Sequence, residues 1–362
     1  MSASGRGKMI KILLIYLFSL LFSGCTQIGY YAQSVSGQLD IWSRERPIQN
    51  VIDDPATPQA LREKLTLVLK AREFASAELG LPRNQSYRSY ADLRRPYVVW
   101  NVFATQEFST RPVQWCFVIA GCVAYRGYFE KTDADGFAAE AAALGHDVHV
   151  GGVPAYSTLG WFADPMLNTI VNYPAAEVAR IIFHELSHQV VYVADDSVFN
   201  ESFAVTVEQA GVRRWLAAHG SHDDQQAFER RQRYRADFIA LVQACRARLD
   251  ALYREPINPA DMRVHKRAVF EELQRDYRAL KASWGGFAGY DRWFAQTPNN
   301  ALLATVSIYT GHVAAFEAIL REQGSDLRKF YAAVKALAHL ERPARDAILR
   351  KYSPALDKRD AL

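Results

Sequence analysis

Cysteine is scarce, with four in 362 residues. That excludes a disulfide-built scaffold, so a chain of this length depends on an ordinary apolar core. Neither sign of charge dominates: 43 basic against 39 acidic residues leave a net +4. This gives no polybasic surface for nucleic acid and no demand for an acidic partner. Internal repeats and low-complexity tracts are missing, which excludes solenoids and arrays. Long apolar runs are missing too, apart from Ile12 to Phe22, which is too short for a comfortable membrane-spanning helix.

That run has Arg6, Lys8 and Lys11 ahead of it and Ser23-Gly24-Cys25 behind it. A basic start, a short apolar core and small residues describe a secretory signal. The closing Cys resembles the lipobox of bacterial lipoproteins, in which Cys25 would become the lipid-modified first residue. Phe22 departs from the usual residue of that pattern, and an ordinary cleaved signal or an uncleaved anchor remains open. Thr26 rather than Asp follows the Cys, so the resemblance implies the outer membrane, facing the periplasm. Of the other cysteines, Cys116 and Cys122 could pair in an oxidising compartment if two strands turn at Gly121. Along one straight strand they could not meet. Cys245, in a charged helical stretch, is expected to be a lone thiol.

Past residue 24 the composition is globular, 49% hydrophobic and 12% aromatic over the whole chain. Residues 30–50 suggest an arm or helix anchored by Tyr30, Tyr31, Ile41 and Trp42. Helical spacing of Leu61, Leu65, Val68 and Leu69 predicts a helix from Gln59 to Glu78. Tyr97 to Phe103 and Trp115 to Tyr128 are β-type runs. A helix should follow to Leu144, then a strand at His146–Val150 with Gly151-Gly152 as its turn. In such a strand His146 and His149 would face opposite sides, so neither is expected to bind metal. Helices are expected over Asp223–Tyr253 and Asp261–Trp284, with their charge runs as solvated faces. An apolar segment from Asn299 to His312 and a helical tail close the chain.

The centre of the sequence is Arg180-Ile-Ile-Phe-His184-Glu185-Leu-Ser-His188, with Asn200-Glu201-Ser-Phe-Ala204 downstream. His-Glu-x-x-His sets two imidazoles one helical turn apart on one face. Two His and one carboxylate suit a single Zn²⁺ and leave its fourth position for water. Glu185 is placed to act as general base toward that water. Pro174 should open the helix, Tyr192 would lie on it four residues past His188, and Ala194 to Ser197 supplies a turn and an N-cap. Glu208, seven residues after Glu201, shares its helical face. It could orient a ligand His, bind a substrate ammonium, or be a solvated charge.

These motifs resemble the gluzincin metallopeptidases, whose third zinc ligand is Glu. Asn200-Glu201-Ser-Phe-Ala204 resembles the large zinc aminopeptidases, although twelve residues between His188 and Glu201 make a tighter connection than theirs. Over most of 25–340 the chain resembles the bacterial "Putative aminopeptidase" family of lipoproteins. Gly121 to Phe129, Ala155 to Phe162 and Asn299-Asn300 to Tyr309 carry that wider likeness. The resemblance implies His184, His188 and Glu201 as zinc ligands and Glu185 as catalytic base. It also implies a Tyr stabilising the oxyanion, for which Tyr309 is the candidate and Tyr156 and Tyr192 the rivals. An edge strand at Ala155, Tyr156 and Ser157 would pair with substrate backbone, or be merely buried.

The expected class is α+β, mostly helical, with a small mixed sheet beside the metal helix. Residues 1–24 would be signal, 25–150 an N-terminal α/β part, 151–220 the zinc core and 221–362 a helical part completing the cleft. The expected function is a zinc peptidase, foremost an aminopeptidase, acting on peptides in the periplasm and tethered to the membrane through Cys25. A lipid-anchored envelope binding or assembly protein with a non-catalytic zinc site is the alternative, as is an endopeptidase of the same chemistry.

Overall fold

The structure, a computed structural model, describes residues 29–117, 121–155, 158, 160–308 and 311–352, with the backbone alone at 307 and 308. Cys25, Tyr156, Ser157 and Tyr309 lie outside the described residues. The chain divides into two compact units, Met1–Glu45 and Arg46–Leu362. In the first, residues 29–43 form helix α1. The second is α+β and mostly helical.

Among the described residues the strands form three small sheets. β1 (Glu45–Pro47), β2 (Ser89–Ala91) and β8 (Met166–Leu167) make the first, with β2 and β8 parallel. β3 (Val99–Gln106) lies between β6 (Arg126–Tyr128) and β7 (His146–Val153) in an antiparallel sheet. The hairpin of β4 (Trp115–Phe117) and β5 (Gly121–Val123) sets Cys116 opposite Cys122, and a disulfide joins them. Gly121, at φ +71°, supplies the backbone conformation there that other residues avoid.

β7 continues through Gly151 and Gly152, which are not a turn. Gly152 is required for a different reason: a Cβ there would come within 2.4 Å of the Tyr97 ring. His149 stacks on Phe103, and His146 lies 3.2 Å from the Ala141 carbonyl. Both are therefore sheet residues.

Helices α2 (Ile48–Asp53), α3 (Gln59–Ala77), α4 (Lys131–Ala143) and the single turn α5 (Asn168–Val171) surround these strands. α6 (Ala175–His188) starts after Pro174 and buries residues around nearly its whole circumference, from Val178 and Ile181 to Leu186 and His188. It packs on α7 (Ser197–His219) and on α3. Where α6 and α7 cross, Gly211 of α7 lies so near Phe183 that a Cβ would sit 2.7 Å from the ring.

α8 (His222–Leu252) and α9 (Pro259–Ser283) form an antiparallel hairpin, each opened by a side-chain cap, Ser221 and Asn258. Phe238, Val242, Cys245 and Leu249 meet Phe270, Leu273 and Tyr277 in its apolar seam, together with Phe294 of the short α10 (Asp291–Phe294). Cys245 is fully buried and free, and burial pushes its thiol up to about 12. α11 (Asn300–Ile308) lies between the hairpin, α7 and the β3–β7 sheet, and so links that sheet to α7. Its start is tied down by Asn299 Nδ2 donating to the Val148 carbonyl and by Asn300 Nδ2 donating to the Glu107 carbonyl. α12 (Val313–Glu322), α13 (Leu327–Ala338) and α14 (Arg342–Tyr352) close the unit, with α12 against α7.

Candidate metal centre

α6 presents His184 and His188 from one face with ring centroids 4.9 Å apart. α7 brings Glu201 to them after the Asp195-Asp196 turn. Asp195 takes φ +65°, and the Asp196 carboxylate caps α7 by accepting from Phe199 N at 3.1 Å. One ligand atom from each of His184, His188 and Glu201 lies within 4.8 Å of the others, and no fourth His, Cys, Asp or Glu joins the group among the described residues.

The proton arrangement shows that a cation fits. His184 Nδ1 lies 2.9 Å from Glu208 Oε2, a carboxylate oxygen that can only accept, so Nδ1 carries a proton. His184 Nε2 then faces Glu201 Oε2 at 3.2 Å and His188 Nε2 at 3.3 Å, while Glu201 Oε1 lies 3.7 Å from His188 Nε2. With neutral imidazoles at least two lone pairs converge with too few protons between them, which costs energy unless a positive charge lies there. Burial opposes a charge on His184, but Glu201 and Glu208 outweigh it and raise its pKa to about 10. The site thus attracts positive charge. Burial lowers His188 to about 4, keeping it the neutral imidazole that a metal needs. Its Nδ1 is buried without a hydrogen-bond partner.

Glu185 faces a different environment. Burial, with Glu201 and Asp164 adding to it, raises its carboxyl to about 7. A carboxyl so shifted can exchange its proton near neutral pH. Two of its electrostatic neighbours escaped sequence reasoning. Asp164 accepts from Thr158 N at 3.1 Å, and its carbonyl accepts from Tyr87 N at 2.6 Å. Tyr87 is 2% exposed and sits at φ +62°, unusual for a bulky residue. Its loop is strapped by the buried Arg72, whose guanidinium donates to the Ser86, Pro82 and Asn84 carbonyls. Nothing in the local sequence of Tyr87 signals that approach.

Glu208 is 0% exposed. Besides His184 Nδ1, its carboxylate accepts from Arg180 Nη1 at 2.8 Å and Arg235 Nη1 at 3.0 Å. With both oxygens engaged by protein donors, it is neither a solvated charge nor open to a substrate ammonium. Arg235 also corrects the expectation of an entirely solvated charge run on α8.

Tyr192 is not on the metal helix. α6 ends at His188, Gln189 is its C-cap, and the Asn200 side-chain amide holds Val193 by donating to its carbonyl at 2.7 Å and accepting its N–H at 2.8 Å. Tyr192 nonetheless stays in the electrostatic range of Glu201, which adds to burial in raising its pKa. Ala155 lies two residues past the end of β7, outside the strand. His312 N, at the start of α12, donates to Ser202 Oγ at 3.0 Å, next to Glu201.

The family described as "Putative aminopeptidase" matches residues 29–349, and the chain belongs to it. No curated protein and no solved structure matches it.

Proposed function

We propose that the protein is a zinc-dependent peptidase of the aminopeptidase type, acting on peptides in the periplasm while tethered through a lipid on Cys25. The observation that carries this reading is the buried His184–His188–Glu201 donor set with Glu185 beside it. His184, His188 and Glu201 would hold the zinc ion, which would supply Lewis acidity and lower the pKa of the attacking water. Glu185 takes the proton of the attacking water and delivers it to the leaving amine. Glu208 fixes His184 with Nε2 turned toward the donor set. Tyr309 donates to the carbonyl oxygen as it gains charge, with Tyr192, in the electrostatic range of Glu201, as its rival. Ala155, Tyr156 and Ser157 offer main-chain groups to the substrate. Three protein donors, with no fourth among the described residues, support a catalytic over a structural metal.

The test compares wild type with Glu185→Gln for zinc content and for hydrolysis of peptides with free or acetylated N-termini. The variant should keep about one Zn²⁺ and lose roughly 10²–10⁴-fold in rate. Undiminished hydrolysis by Glu185→Gln would sink the mechanism, and equal cleavage of acetylated peptides would turn the assignment to an endopeptidase.

A further inference from the structure

We propose that Arg235, on α8, is a positioning residue of the metal centre, holding Glu208 so that His184 keeps its ligand nitrogen aimed at the donor set. The proposal rests on the zinc reading above. Glu208 Oε2 is shared by His184 Nδ1 and Arg180 Nη1, and Oε1 is held by Arg235 Nη1. Among the described residues no other donor reaches Oε1. In a site where Glu208 is 0% exposed, water cannot replace a lost donor without opening the core. A buried acceptor left unpaired is destabilising.

The two arginines do different things. Arg180 lies one turn before His184 on the same helix, so it moves with the imidazole and cannot fix Glu208 from outside α6. Glu177 also accepts from Arg180 Nε at 2.8 Å, which divides its interaction. Arg235 comes from a third helix, whose place is set independently by the apolar seam of Phe238, Val242, Cys245 and Leu249 with α9. His184 on α6, Glu208 on α7 and Arg235 on α8 therefore triangulate the imidazole from three elements. Geometry of this kind is what outer partners of a metal-bound His supply, and their loss typically costs 10–100-fold in metal affinity. The C-terminal helical hairpin is on this account part of the metal centre and more than a wall of the cleft.

One donor makes the Arg235 contact, so lysine can replace it while methionine supplies only the stem. Zn²⁺ affinity by chelator competition and the visible spectrum of the Co²⁺ form are measured in wild type, Arg235→Met, Arg235→Lys, Glu208→Gln and the Arg235→Met/Glu208→Gln double variant. Glu208→Gln should bind metal 10–100-fold more weakly. Arg235→Met should weaken binding several-fold and alter the Co²⁺ bands, and Arg235→Lys should restore both. The double variant should be no weaker than Glu208→Gln alone, because both act through one carboxylate. If Arg235→Met does not fold, Arg235→Gln takes its place in the cycle. A folded Arg235→Met or Arg235→Gln with wild-type affinity and spectrum overturns the proposal, as does a strictly additive double variant. Wild type without metal affinity would instead overturn the zinc reading itself.

Discussion

Asp196 serves two purposes with one carboxylate. Oδ1 caps α7 through Phe199 N, and Oδ2 accepts from Arg345 Nη2 at 2.6 Å and Nε at 3.2 Å. Both side chains are almost fully buried, at 4% and 3% exposure. Replacing Asp196 by Ala uncaps the helix that carries Glu201 and leaves a guanidinium buried without its counter-charge. Breaking such a pair costs about 3–5 kcal/mol, to which the lost cap adds about 1. We expect Asp196→Ala to lower the urea-unfolding free energy by at least 3 kcal/mol on that basis, and Asp196→Asn, which keeps a capping oxygen, to lower it less. A loss in Asp196→Ala of under 1 kcal/mol would mean that water already reaches Arg345. At this scale the sequence was partly legible: the turn and cap were readable from Asp195-Asp196-Ser197, but Arg345 lies 149 residues away and no local pattern announces it.

Elements show the same division. α6, α8 and α9 could be read from apolar spacing and caps because those signals act within a few residues. The end of α6 could not, since Val190, Val191 and Tyr192 continue the apolar run while the Asn200 amide, seven residues on, holds Val193. Gly151-Gly152 looked like a turn for a related reason: a glycine required by an approaching ring is indistinguishable in sequence from one required by a bend. Gly211 is the corresponding case in a helix, and it can be tested. Alanine there should gain about 1 kcal/mol of helix propensity. Its Cβ would stand 2.7 Å from Phe183 Cδ2 and 2.8 Å from Leu79 Cδ1, both on fully buried side chains. Overpacking of that kind costs about 1–3 kcal/mol. The clash should outweigh the propensity, so Gly211→Ala is expected to lose about 1 kcal/mol in denaturant unfolding. It should also weaken metal binding, because Phe183 directly precedes His184. A stabilised Gly211→Ala would show that α6 and α7 stand further apart than this packing requires.

Over the whole of Arg46–Leu362, the metal centre draws its groups from parts of the chain that no short motif links. The donor set was legible because His184, His188 and Glu201 sit on two consecutive helices. Arg235, Tyr87 and Asp164 were not, because tertiary packing alone brings them near. A centre assembled this way exists only in the folded unit, so a metal that binds it should stabilise that unit by mass action. At a free concentration 100 times the dissociation constant the gain is about 2.7 kcal/mol. For a domain of this size that corresponds to a rise in melting temperature of roughly 5 °C. Thermal unfolding followed with chelator and then with added Zn²⁺ should show this rise in wild type and reverse it on renewed chelation. His188→Ala and Glu201→Gln should melt at the same temperature with and without the metal, since each removes one of the three donors found among the described residues. Their baseline relative to metal-free wild type carries separate information. Glu201→Gln removes the carboxylate that, 3.2 Å from His184 Nε2, holds the imidazole protonated in the absence of metal, so it should unfold below metal-free wild type. A wild-type protein whose melting temperature ignores Zn²⁺ after verified metal removal would show that the cluster tolerates its own crowding of lone pairs, and that its charge is balanced by a proton on His184.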